Sequence, residues 1–124
     1  MTFDPALMRD VLLAIEAMPA GEPFDGVIQS DTRTQPETNE HVDLLIKNGF
    51  INGESLPNHR GVPIRFSILG LSLKGHEFLA NARNNTVWKK VLAEAKSKGM
   101  SVSVTVINGL LEKAAQKYAG LGES

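Results

Sequence analysis

PETNEHVDLLIKNGFI, residues 36–51, and PIRFSILGLSLKGHEFL, residues 63–79, decide how this chain folds. In the first stretch Val42, Leu45 and Ile46 recur at helical spacing. Gly49 stands where a helix ends in the left-handed conformation, so a helix closes at about Asn48 and a strand opens at Phe50 and Ile51. Thr34, three residues before Glu37, fits a capping box in which Thr34 caps this helix and Glu37 reaches back. In the second stretch Ile64, Phe66 and Ile68 alternate inward along a strand that runs to Leu71, and Leu69-Gly70 breaks the phase as a bulge would. Between the two, Asn52-Gly53 permits a bend or bulge, and residues 57–63, PNHRGVP, read as a hairpin tip. Ser72 then caps a short helix from about Leu73 to Arg83 that buries Phe78, Leu79 and Ala82.

Toward the N-terminus, Asp4-Pro5 starts a helix, because the carboxylate accepts early N–H groups and proline lacks one already. Phe3 and Met8 stand as a hydrophobic staple. Leu7, Val11, Ala14, Ile15 and Met18 predict a helix over about 5–18, ended by Pro19-Ala20-Gly21. Residues 22–30, EPFDGVIQS, hold too much Gly and Pro for a helix but alternate like a short edge strand. A full helix-turn-helix would carry its first helix there. Toward the C-terminus, Asn84 or Asn85 caps a helix whose Trp88, Val91, Leu92 and Ala95 share one face, with Lys98-Gly99 as its stop and residues 101–103 extended. A last helix from Val104 or Thr105 to Tyr118 places Ile107, Leu110, Leu111, Ala114, Ala115 and Tyr118 in the i, i+3, i+4, i+7 pattern. The order helix, short strand, helix, two-stranded hairpin is that of a winged-helix core. The prediction is a single α+β domain over 1–124: a winged-helix-like core, residues 1–73, with a C-terminal helical extension, residues 74–124.

A length of 124 residues, 42% hydrophobic and 22% charged, suits one soluble unit with a real core. Without cysteine there is no disulfide framework, thiolate zinc site or Cys nucleophile. Neither a basic leader nor a run near the ~18 apolar residues of a membrane span is present, so a cytoplasmic location and no membrane are expected. The net charge of −1 conceals a polarity along the chain. Residues 21–50 carry six carboxylates against two cations, and residues 74–98 carry six cations against two carboxylates.

Two stretches resemble a bacterial and prophage family known only as a domain of unknown function. They are His41-Val42 through Phe50-Ile51, and Ser72-Leu73-Lys74-Gly75-His76-Glu77-Phe78-Leu79, with Trp88 nine residues further on. Ser72 stands where members more often have Thr, a swap that keeps the cap. The resemblance covers nearly the whole chain and implies a winged-helix-like fold and a phage-linked setting, but no activity.

Catalytic chemistry finds little footing. His41, His59 and His76 share no metal-ligand spacing. His76 reads as structural, its ring packed beside the hairpin strands and its nitrogens bonded to backbone, with an exposed contact role as the alternative. His41 reads as packed on a helix face, with a pH response as the alternative. No Gly-rich phosphate loop, nucleophile elbow or His-Asp-Ser set appears, so neither an enzyme nor a cofactor is expected. Asn84-Asn85-Thr86 forms a glycosylation sequon but reads as a helix cap.

The expectation is therefore a non-enzymatic phage or prophage-type accessory protein that binds another protein, in host regulation or counter-defence. Its surface would be the acidic second helix and the hairpin: Glu37, Glu40, Asp43, Lys47, His59 and Arg60. The alternative is a transcription regulator that binds duplex DNA as a dimer through Arg33, Lys47, Arg60 and Arg65. Charge balance favours protein over nucleic acid, because Glu37, Glu40 and Asp43 face one lysine and carboxylates repel a polyanion. The basic run from Arg83 to Lys98 reads as the solvated side of an amphipathic helix, with Trp88 in the core. The last helix either belongs to the core or forms a homodimer interface through Ile107, Leu110, Leu111 and Tyr118.

Overall fold

Asp4 Oδ1 accepts the Ala6 N–H at 3.0 Å and Pro5 takes the first helical position, so α1, Pro5–Glu16, begins where its free donors are already answered. The structure is a computed structural model that describes residues 2–97 and 103–122, with side chains through residue 117. α1 buries Leu7, Met8, Val11, Leu12 and Ile15; Ala14, expected on that face, is exposed, and Leu12 takes its place. The helix closes at Ala17, before Met18. The expected edge strand shortens to β1, Phe24–Gly26, and no helix forms over residues 27–34.

α2, Gln35–Lys47, is capped by Thr34, whose hydroxyl oxygen accepts the Glu37 N–H at 3.3 Å. Only half of the capping box forms. The Glu37 carboxylate accepts a hydrogen bond from the Thr34 hydroxyl at 3.0 Å and pairs with Arg33 at 3.5 Å. Thr38, Asn39, His41, Val42 and Leu45 are buried, Ile46 is half-buried, and Gly49 ends the helix at φ +81°.

β2, Ile51–Pro57, and β3, Pro63–Leu71, form the hairpin, and the sheet order β1-β3-β2 puts β3 in the centre, antiparallel to both neighbours. The register slips between Asn52 and Gly53, as expected. Gly53 has no substitute there, since a Cβ would stand 2.5 Å from the Ser67 carbonyl oxygen. One inward residue is corrected: Phe66 and Ile68 are buried, but Ile64 is 44% exposed. β1 ends its pairing at Gly26↔Phe66, so Ile64 keeps the inward phase but lies beyond the three-stranded part of the sheet.

α3, Leu73–Ala82, starts on a brace built from the 72–75 motif. Ser72 Oγ accepts the Gly75 N–H at 3.0 Å and donates to the Gly49 carbonyl at 2.5 Å, while Lys74 Nζ donates to the Asn48 carbonyl at 3.1 Å. The same residues that open α3 thus satisfy the carbonyls of Asn48 and Gly49, the two residues that follow α2. Gly75 is buried against the Phe50 carbonyl, which leaves no room for a Cβ.

The chain divides into two compact units, residues 1–76 and 77–124. In the second, Asn84 Oδ1 accepts the N–H groups of Thr86 and Val87 at 2.9 and 3.2 Å and so caps α4, Asn85–Ser97. Phe78 and Trp88, both buried, meet edge to face with centroids 6.1 Å apart. α5, Val104–Gly122, buries Val104, Ile107 and Leu111. It runs a turn past the expected Tyr118. The stop expected at Lys98-Gly99, and residues 101 and 102 of the expected extended stretch, lie outside the described residues. Among the described residues the architecture is a mixed α+β one, five helices and a three-stranded antiparallel sheet.

Candidate binding surface on helix α2 and the hairpin

The charges of α2 are largely committed within the chain. Asp43 Oδ2 pairs with Lys47 Nζ at 2.8 Å, one helical turn away, and Asp43 Oδ1 accepts the Ser55 hydroxyl of β2 at 2.6 Å. Burial pushes the Asp43 carboxyl up, but the Lys47 and Ser55 hydrogen bonds and the Lys47 charge outweigh it and hold the group below its ordinary value. Arg33 reaches Asp4 at 3.0 Å and Glu37 at 3.5 Å. Glu40 is left exposed to solvent.

The hairpin is held to α2 at two heights. Besides Ser55–Asp43, Asn39 Nδ2 donates to the Pro63 carbonyl at 3.4 Å, while Asn39 Oδ1 accepts from Gln35 at 2.8 Å. Asn58 organises the tip: its Oδ1 accepts the N–H groups of Arg60 and Val62 at 2.8 and 3.0 Å, and its own N–H bonds the Val62 carbonyl at 2.8 Å. Gly61 closes this turn at φ +80°. His59, Arg60 and Arg65 are exposed, and neither arginine has an ion pair among the described residues. Leu56, Val62 and Ile64 are exposed beside them, at 40%, 48% and 44%.

The structure thus joins Asp43 and Lys47 to the hairpin through Ser55, pairs the exposed Arg33 with Asp4 and Glu37, and sets His59, Arg60 and Arg65 on a separate protrusion. Sequence reasoning missed the three apolar residues of the tip. No sequence signal marked them, because residues 22–30 allow a longer β1 than the three-residue strand that forms beside the nine-residue β3.

The histidines fall into different settings. His41 is 1% exposed and stacked on Phe3, with Nε2 accepting the Asp4 N–H at 2.9 Å and Nδ1 donating to the Glu37 carbonyl at 2.8 Å. These partners fix the neutral tautomer with its proton on Nδ1. His76 is exposed rather than packed, since Gly75 takes the inward position of that helical turn; it borders a cleft lined by Ile15, Met18, Glu22 and Leu69. No three potential metal-ligating side chains converge, and no helix is long and apolar enough to cross a membrane, among the described residues. On α5, Ile107 and Leu111 are buried in a single copy of the chain and Leu110 is half-buried. The Tyr118 side chain lies outside the described residues.

Residues 3–101 match the model of a family described as "Hypothetical protein (DUF2513)". No curated protein and no solved structure matches the chain.

Proposed function

We propose that the chain, which belongs to the DUF2513 family, is a non-enzymatic accessory protein that acts by binding another protein through α2 and the hairpin. One observation carries this reading: Lys47, the single cation of α2, is bonded to Asp43. A phosphate backbone approaching α2 would meet exposed Glu40 and have to compete for Lys47, whereas a protein partner can match a mixed surface with its own donors. The order α1-β1-α2-β2-β3, with β3 central, supports a winged-helix-like reading in which residues 27–34 replace the first helix of a helix-turn-helix. The phage-type setting, in host regulation or counter-defence, comes from the sequence resemblance alone.

The rival reading, a dimeric regulator of duplex DNA, draws on Arg60 and Arg65, which are exposed and have no ion pair among the described residues. Two double variants separate them. Under the protein-binding reading, Glu37→Lys with Glu40→Lys weakens capture of the partner. Under the rival, the same variant strengthens retention on DNA and Arg60→Glu with Arg65→Glu abolishes it. If both double variants kept every interaction of the parent chain, this surface would be the wrong one.

A further inference from the structure

We infer that the tip of the β2–β3 hairpin is the contact element itself, and that its partner presents an acidic segment with apolar side chains; this rests on the protein-binding reading above. Three of the large apolar residues that the chain exposes, Leu56, Val62 and Ile64, fall within nine residues of sequence at one end of one hairpin. Contiguous apolar exposure on a soluble surface marks an interaction site more often than scattered exposure does. The ionisable side chains interleaved with them are Arg60, Arg65 and His59, so the tip is apolar and cationic with no carboxylate between Leu56 and Arg65.

The faces of the hairpin divide these groups. Leu56 pairs directly with Arg65, so both project from the same side of the ladder. Ile64 projects from the other side, in phase with Phe66. An apolar and a cationic residue side by side, with a second apolar residue across the blade, match a partner that straddles the tip and offers carboxylates next to apolar side chains. The tip is also pre-shaped. Asn58 fixes the turn with four hydrogen bonds, and Asp43–Ser55 and Asn39–Pro63 hold the blade on α2. Little ordering remains to oppose binding, which is what a recognition element needs and a merely loose loop lacks. The arginines add electrostatic attraction, so the segment that meets the tip should be acidic rather than simply apolar.

The test is selection from a random-peptide display library on the intact chain. The expected result is enrichment of peptides that combine Asp or Glu with Leu, Ile or Phe. Synthetic copies should bind at least tenfold more weakly to Arg60→Glu/Arg65→Glu, and also to Leu56→Ser/Val62→Ser/Ile64→Ser; replacing their carboxylates by amides should weaken them to a similar extent. The arginine pair alone decides the matter if the apolar triple variant fails to fold. No enrichment, enrichment without acidic residues, or binding indifferent to the arginine pair would overturn the inference. In the last case a peptide still binds elsewhere and the protein-binding reading survives. Retention on duplex DNA or on anionic phospholipid vesicles that the arginine variant abolishes, with no peptide enriched, would overturn both.

Discussion

Ser55 of β2 donates its hydroxyl to Asp43 of α2 across 2.6 Å, which ties the hairpin to the helix through a charge-assisted bond. Because Asp43 is held below its ordinary value near 3.8 in the folded chain, its ionised form adds stability that is complete above that value. The contribution is lost as pH falls through the lower, folded value. Asp43→Asn should therefore cost about 1 kcal/mol at neutral pH, with the difference from the parent chain shrinking below about pH 4. Urea denaturation of both chains across acidic pH measures it. A constant difference would mean that the carboxylate charge is not what holds the hairpin.

Gly75 and Gly109 make a matched pair. Both lie in helices, where alanine is ordinarily worth about 0.5–1 kcal/mol over glycine. Gly109→Ala meets nothing within 4 Å and should stabilise the chain. Gly75→Ala drives a methyl group into the Phe50 carbonyl and should instead cost about 1–3 kcal/mol. Thermal melts of the two variants should move in opposite directions; a rise for both would show that α3 does not press on Phe50.

His41 anchors the N-terminal segment to α2. His41→Leu keeps much of the volume but leaves the Asp4 N–H without its acceptor, a loss of about 1–3 kcal/mol. Faster hydrogen exchange at the Asp4 amide should accompany the lower stability. Unchanged exchange would show that this bond does not persist in solution.

Leu111→Asp places a carboxylate at a fully buried position of α5. The expected outcome is loss of folded residues 77–124 in circular dichroism and proteolysis. A folded variant that merely changes its oligomeric state would put Leu111 in a dimer interface instead.

Local chemistry was the legible part of the fold. Thr34, Ser72 and Asn84 act through neighbours three residues away or fewer, and Gly49 through its own φ, so residue type and spacing were enough. Alternation also told which way Ile64 projects, but not that β1 ends short of it, so its exposure was invisible. The site was less readable still. Lys47–Asp43 follows helical spacing, whereas Asp43–Ser55 and Arg33–Asp4 join residues far apart in sequence, and only folding shows that these charges answer one another. The 72–79 motif carries part of the family resemblance. Its Ser72, Lys74 and Gly75 brace the end of α2 against the start of α3, so that part of the motif reports architecture, while the exposed tip lies outside it.

The central claim, that this chain recognises protein rather than nucleic acid, is tested most directly by a salt titration of its binding to random-sequence duplex DNA. No retention through α2 and the hairpin is expected even at about 50 mM salt, so that Arg60→Glu/Arg65→Glu changes nothing, because the α2 face offers no uncommitted cation and two arginines are too few to release many counterions. Measurable affinity that falls steeply between about 50 and 200 mM salt would contradict it.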